Sequence, residues 1–280
     1  MTVEELIAAE RLPDDYAEVV EAHWKPLATQ IARRAASRKP LIVGINGAQG
    51  SGKTTLCKFL ELLLRARGLR AVKLSLDDLY LTHAERLQLA AEVHPLFVTR
   101  GVPGTHAVAM AFGIIEDVLA GRPFEIPLFD KSCDDRSNQT RRLTGPVDVL
   151  LFEGWCVGAA PQPPEALKCP ANLLEAEEDP DAVWRTLINH WLGEDYARLF
   201  ALIDMLVMLQ VDGFDAVIAN RRRQEQKLAD LNPLGPGLLD EEALQRFVQH
   251  YERLTRHMLA QMPSRADVVV PIGRDQRPRG

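Results

Sequence analysis

The residues with the clearest chemistry are Gly47-Ala48-Gln49-Gly50-Ser51-Gly52-Lys53-Thr54. They satisfy G-x-x-x-x-G-K-[ST], a loop built to hold a phosphate chain. Glycines at 47, 50 and 52 allow backbone conformations closed to other residues, so the N–H groups of the loop, Gln49 and Ser51 included, can turn inward toward anionic oxygens. The helix that follows, opening with Lys53, Thr54 and Thr55, adds its unpaired N–H groups and the positive end of its dipole. Lys53 is suited to bridging the outer phosphates. The Thr54 hydroxyl is suited to Mg²⁺, which takes few protein ligands and keeps several waters. Together these residues predict a site for ATP and Mg²⁺.

Three further groups fit phosphoryl chemistry. Asp77 and Asp78 end a strand one βαβ unit after the loop, where open parallel sheets carry their sites; one of them can align an attacking hydroxyl or take its proton. The same pair also suits a capped turn. Glu153 ends another buried strand and suits a carboxylate that orients Mg²⁺ or its waters. Arg221, within Asn220-Arg221-Arg222-Arg223, lies on a helix from about residue 214 to 232 that reads either as a lid carrying a guanidinium to the transferring group or as a solvated face paired with Glu225. His106, at a helix start, either touches substrate or braces the fold. Lys131 and Arg136 lie in a polar loop over residues 127–136 that suits an anionic substrate or plain solvent.

Alternating apolar and helical patterns supply the elements that hold these residues. Strands are expected at 41–45, 70–76, 147–152, 204–211 and 268–272. Helices are expected after the glycine loop (Leu56, Phe59, Leu60 and Leu63 inward), from Thr82 through Val93, from Val108 to Leu119, over 180–203, from 214, and over 240–262. Residues 1–37 read as a helical extension capped at Asp14 or Asp15 and ended by Pro40. Residues 159–180 read as a surface excursion, and Asn232-Pro233-Leu234-Gly235-Pro236-Gly237 as a turn. The fold class is α/β, a mostly parallel sheet with helices on both faces, in one domain spanning 1–280.

A net charge of −6 and a pI near 5.7 argue against a general nucleic-acid or anionic-membrane surface. Four cysteines without metal or redox spacing fit a reducing compartment. The acidic, amphipathic start has no signal-peptide pattern, and the longest apolar stretch, 199–211, is interrupted by Asp204 and Gln210. The expectation is a cytoplasmic protein that binds a small molecule, with no protein partner evident.

With these residues in place, the chain resembles the P-loop kinases of small metabolites, the group of uridine kinase, phosphoribulokinase and pantothenate kinase, and within it the D-glycerate 3-kinase branch. The likeness rests on G-A-Q-G-S-G-K-T-T, S-L-D-D-L-Y-L-T, R-G-V-P-G-T-H, P-L-F-D-K-S and L-F-E-G-W-C-V-G, in that order, with Y-E-R-L-T at 251–255. The resemblance implies ATP-dependent phosphorylation of a metabolite hydroxyl, with D-glycerate the leading acceptor. It implies Asp77 as the base, acting with Lys53 and Arg221, and Glu153 beside Mg²⁺. Substrate contacts would come from Asp78, Tyr80, Arg100, His106, Asp130, Lys131 and Arg136. Two departures stand out: Ala107 replaces an aspartate usual after the histidine, and Ala219-Asn220-Arg221 replaces the usual R-W-R. Alternatives are a kinase of a nucleoside or pantothenate-like acceptor, and a nucleotide-dependent switch or ATPase.

Overall fold

The computed structural model describes residues 1–231 and 240–279. The turn expected at 232–237 and the last residue of the expected lid lie outside them. Helix α1 (Val3–Ala9) is set by a capping box between Thr2 and Glu5. After α2 (Tyr16–Val19), a π-helical turn over Val20–Trp24 leads into α3 (Lys25–Ser37). The expected cap at Asp15 does not form: its side chain makes no capping bond and instead meets Arg277.

Strand β1 (Leu41–Gly47) is buried along its whole length, and the glycine loop carries it into α4 (Lys53–Arg65). Next come β2 (Ala71–Ser75), a 3₁₀ turn over Leu76–Leu79, α5 (His83–Glu92) and α6 (Val108–Leu119). Thr82 and Glu85 form the capping box of α5. A two-stranded antiparallel sheet follows, β3 (Phe124–Asp130) and β4 (Asp135–Leu143), where the sequence suggested a loop at 127–136. β4 reads D-R-S-N-Q-T-R-R-L, without the apolar alternation that marks a half-buried strand, which hides it from periodicity.

Strand β5 (Val149–Gly154) precedes α7 (Leu173–Glu178), α8 (Val183–Gly193) and α9 (Asp195–Phe200); the single helix expected over 180–203 is broken at Gly193 and Glu194. Then come β6 (Met205–Val211), α10 (Phe214–Leu231), α11 (Glu241–Gln261), capped by the Asp240 side chain, and β7 (Val268–Ile272).

The main sheet runs β2-β5-β1-β6-β7, with every pairing parallel. Fully buried parallel strands bury both faces, and alternate residues divide between two cores. Ile42, Leu150, Phe152, Leu206 and Met208 pack toward one face, covered by α6, α8, α9 and the later part of α11. Val43, Ile45, Val149, Leu151 and Val207 pack toward the other, covered by α1 to α4, the start of α10 and the earlier part of α11. No helix of the described residues is long and apolar enough to cross a membrane.

One buried polar residue ties this frame to the site. The Asn46 amide donates to the carbonyls of Trp155 and Val157, each at 2.9 Å, fixing the segment after β5 against the end of β1. Replacing Asn46 with leucine leaves two buried carbonyls without that donor. Asn46→Leu is therefore expected to lower unfolding stability by about 2 kcal/mol, read as a lower urea midpoint; an unchanged midpoint would contradict the assignment.

Candidate active site

The glycine loop lies at the C-terminal end of β1, in the middle of the sheet. Gly50 and Gly52 have φ of 73° and 90°, so both use the left-handed region. Gly47 needs space instead: a Cβ there would lie 2.5 Å from Ser51 Oγ. At Gly50 the constraint is double, because a Cβ would also lie 2.6 Å from the Asn220 Cβ of α10. The Lys53 ammonium folds back onto the loop, donating to the carbonyls of Gly47 at 2.7 Å and Ala48 at 3.2 Å. Burial lowers its pKa, against the opposing charges of Glu153 and Asp77. Gln49 Oε1 and Ser51 Oγ are buried without a partner among the described residues. The Ser51 N–H, expected to face a phosphate, donates instead to the Ala48 carbonyl at 3.1 Å; a loop bent by left-handed glycines around a partly desolvated cation, at the N-terminus of α4, still fits a polyphosphate.

Glu153 arrives at the end of β5, beside β1. Its Oε1 accepts from the Ser75 hydroxyl at 2.8 Å and the Thr54 hydroxyl at 3.3 Å. Hard oxygen donors from one carboxylate and one hydroxyl fit Mg²⁺, which completes its shell with phosphates and water. Among the described residues there is no cluster of three or more His, Cys, Asp or Glu of the kind that cages a metal by itself.

Asp77 sits in the 3₁₀ turn after β2, on the other side of β5 from the loop. Its Oδ2 accepts from Lys131 Nζ at 2.7 Å and its Oδ1 from the Tyr80 hydroxyl at 2.7 Å. Burial raises its pKa, but Lys131, by charge and hydrogen bond, and then Tyr80 and Lys53 outweigh it, leaving the carboxyl at about 2. Asp78 differs: burial raises its pKa and it does not line the cavity.

The cavity beside Asp77 measures ≈ 170 Å³ and includes Gln49, Gly50, Lys53, Thr54, Asp77, Tyr80, Arg100, Lys131, Glu153 and Arg221 in its lining. Of the residues expected to touch substrate, Tyr80, Arg100 and Lys131 therefore meet there. Arg100 is ion-paired to Asp134 and lies over the Phe129 ring, 5.6 Å from its centroid. Arg221 is ion-paired to Glu225 and lies over Phe247 at 4.9 Å. The other expected contacts stand back. Asp130 accepts from the Ser132 N–H and hydroxyl at the hairpin tip, and Arg136 donates to the Tyr80 carbonyl at 2.9 Å, bracing Tyr80 from outside. His106 is buried, with Nδ1 2.6 Å from the Tyr196 hydroxyl; burial pushes its pKa down to about 4, so it is neutral at pH 7. Ala107 donates its N–H to the Leu79 carbonyl and is not in the lining.

Sequence reasoning missed Ser75 and three aromatic walls, Trp155, Phe247 and Tyr251. Trp155 donates Nε1–H to the Gly101 carbonyl at 2.7 Å, and the Tyr251 hydroxyl donates to the Arg100 carbonyl at 2.6 Å. Gly101, at φ 113°, is required there: a Cβ would lie 2.7 Å from the Tyr251 oxygen. The available signal was the inward stripe of α11, on which Phe247 and Tyr251 are one helical turn apart.

The Asp77–Lys131 pair makes a prediction about acid stability. The folded carboxyl, at about 2, lies below its ordinary 3.8, so the pair contributes stability that is fully present above about pH 4 and lost as pH falls toward 2. In Lys131→Ala the burial remains and its strongest opponent goes, so Asp77 should take up its proton at higher pH. Urea unfolding between pH 2 and 5 should show the acid limb shifted upward; coincident curves for variant and wild type would contradict the pairing.

No family model matches the chain. Individual relatives do. The chain is 35% identical over 225 residues to a protein described as an uncharacterized kinase of Schizosaccharomyces pombe, covering 76% of this chain and 79% of that one. It is 27% identical over 243 residues to the chloroplastic D-glycerate 3-kinase of Arabidopsis thaliana, covering 81% of this chain but 50% of the plant protein. A solved D-glycerate 3-kinase from Cryptococcus neoformans superposes with a TM-score of 0.75 at 26% identity, covering 92% of this chain and 98% of the fungal one. Taken with the loop and the parallel sheet around it, these relatives identify the chain as a member of the P-loop small-metabolite kinases, the family that includes D-glycerate 3-kinase.

Proposed function

We propose that the protein transfers the γ-phosphoryl group of MgATP to a hydroxyl of D-glycerate. The observation that carries this reading is the ≈ 170 Å³ cavity, in which a carboxylate that stays ionised faces the phosphate loop while Lys131, Arg100 and Arg221 line the wall. A small acceptor with its own carboxylate matches that charge. The same lining counts against a switch without an acceptor.

In this reading the loop N–H groups and Lys53 hold the β- and γ-phosphates. Thr54 and Glu153 would hold Mg²⁺, which would supply charge neutralisation on the phosphate oxygens. Ser75 keeps Glu153 turned toward Thr54. Without substrate, Lys131 occupies Asp77; an acceptor carboxylate competes for Lys131 and Arg100 and frees one Asp77 oxygen for the hydroxyl. As Lys131 turns to the acceptor, Asp77 loses the partner that most lowers its pKa, and it holds the hydroxyl in line and receives its proton as the new O–P bond forms and the bond from the γ-phosphorus to ADP breaks. Arg221 reaches the transferring group from α10, which acts as the lid, and the aromatic walls exclude water. We assign the whole to one domain working in the cytoplasm.

Two kinetic results follow. Asp77→Asn should lower kcat by about 10²–10⁴-fold while the dissociation constant of MgATP changes little, because the lost interaction develops at the reacting hydroxyl. Equal losses in both would contradict the role. Lys131→Met should raise KM for D-glycerate by about tenfold, the worth of one charge-assisted hydrogen bond. Glycerol, which lacks the carboxylate, should be a poor acceptor for wild type and variant alike, measured by acceptor-dependent ADP release; glycerol used as well as glycerate would remove the carboxylate from the account.

A further inference from the structure

Behind the wall of the acceptor cavity stands a cluster with more guanidiniums than carboxylates. At the tip of the β3–β4 hairpin, Asp134 has φ of 55°, in the left-handed region that Asp and Asn enter more readily than other side chains. Its Oδ1 pairs with Nη1 of Arg100, which lines the cavity, and its Oδ2 lies 2.9 Å from Nη2 of Arg86 on α5. The His83 ring nitrogen Nδ1 is 3.3 Å from the same Oδ2. Burial pushes the Asp134 pKa up, but Arg86 and Arg100 outweigh it and hold the carboxyl below its ordinary range.

The two arginines are held very differently. Arg86 is only 1% exposed and does not line the cavity. All of its nitrogens are engaged: Nε donates to the Leu81 carbonyl at 3.3 Å, Nη1 to the Val98 carbonyl at 2.7 Å, and Nη2 to the Asp134 carbonyl at 2.7 Å as well as to the carboxylate. It thereby ties the hairpin tip both to α5 and to the segment that leads into Arg100. Arg100 is anchored through its main chain, whose carbonyl accepts from Tyr251, and through Nη1 on Asp134, while its guanidinium lies over Phe129. Its Nε and Nη2 make no hydrogen bond among the described residues. The neighbouring Asp135 turns to the N–H groups of His83 and Arg136 and forms an ion pair with neither guanidinium.

Resting on the anionic-acceptor reading above, we propose that Arg86 is a positioning residue that sets the preference for an acceptor carrying a carboxylate. One carboxylate shared by two guanidiniums leaves a net positive charge, and the buried Arg86, fixed by carbonyls, cannot leave to seek another partner. Asp134 therefore divides its attraction, and its hold on Arg100 is weaker than that of an ordinary pair. The charge left over appears at Arg100, the member of the cluster that lines the cavity, where two nitrogens still lack an acceptor. An acceptor's carboxylate completes the count there, and the attraction is only partly screened because the cluster lies largely out of water. An acceptor without a carboxylate gains nothing from it. Arg86 acts through Asp134 and Arg100 and touches no reacting atom.

ADP release at saturating MgATP and varied D-glycerate tests this through the sign of each change. Asp134→Asn keeps a residue suited to the left-handed turn and removes the competing charge, so KM for D-glycerate should fall about threefold. Arg86→Met leaves Asp134 to Arg100 alone and should raise that KM about threefold to fivefold. The double variant should return close to wild type, and KM for MgATP should hold throughout. A cluster with a merely structural role would impair both single variants; that outcome, or an unchanged KM in Asp134→Asn, would overturn the assignment. If Arg86→Met does not fold, judged by circular dichroism, the direction of change in Asp134→Asn decides alone. Wild-type protein that releases ADP at a rate indifferent to D-glycerate would overturn the acceptor reading itself, a result distinct from altered signs in the variants.

Discussion

An ammonium group confined among backbone amides is the constraint from which the rest of the site follows. Burial disfavours the Lys53 charge, and two carbonyls of its own loop replace hydration only in part. A bound polyphosphate relieves that arrangement by bringing negative charge to the ammonium and acceptors to the loop N–H groups. Two of the close approaches that make it possible are steric: Gly47 leaves room for Ser51, and Gly50 lies against Asn220. The charge and the glycines are therefore one design, since a side chain at either position would push apart the elements that surround Lys53.

Strand order decides what meets this cation. β1 lies between β5 and β6, with β2 beyond β5, so Glu153 and Asp77 reach the loop from the same side at successive distances from it. Glu153 is close enough to share a hydrogen bond with Thr54, whereas Asp77 stands one strand further out, across the acceptor cavity. From the other side, β6 feeds α10 over the loop. The acids are thereby divided by function: one is held by hydroxyls and suits a hydrated metal, and the other is held by a lysine and a tyrosine and suits a hydroxyl. Three of the four cations lining the acceptor cavity are paired in the free protein, Lys131 with Asp77, Arg100 with Asp134 and Arg221 with Glu225, while Lys53 donates to its own loop. An anionic acceptor enters a site whose charges must exchange partners, which limits the gain from any single new contact.

Much of this was legible in the chain. β1, β5 and β6 stood out because burial on both faces gives short, nearly continuous apolar runs, β2 showed as an alternating run, and the loop stood out because glycines at fixed spacing before Lys-Thr have few other uses. Less was legible where structure depends on residues far apart in sequence. The β3–β4 hairpin escaped notice because one of its strands is polar on both faces, yet it delivers Lys131 to Asp77 across 54 positions. Arg136 looked like a substrate contact and instead braces the Tyr80 backbone, a difference that only its direction decides. Asp15 looked like a helix cap, and its partner lies 262 residues away. Trp155, Phe247 and Tyr251 carried no local mark of a site, because an aromatic wall and an aromatic core residue have the same pattern in a helix or after a strand.

The most direct test of the central claim is phosphorus NMR of the products formed by purified protein, MgATP and D-glycerate. The account predicts a phosphate-ester signal of a phosphoglycerate, equal in amount to the ADP released and absent when D-glycerate is omitted. Release of inorganic phosphate alone, at a rate indifferent to D-glycerate, would contradict it.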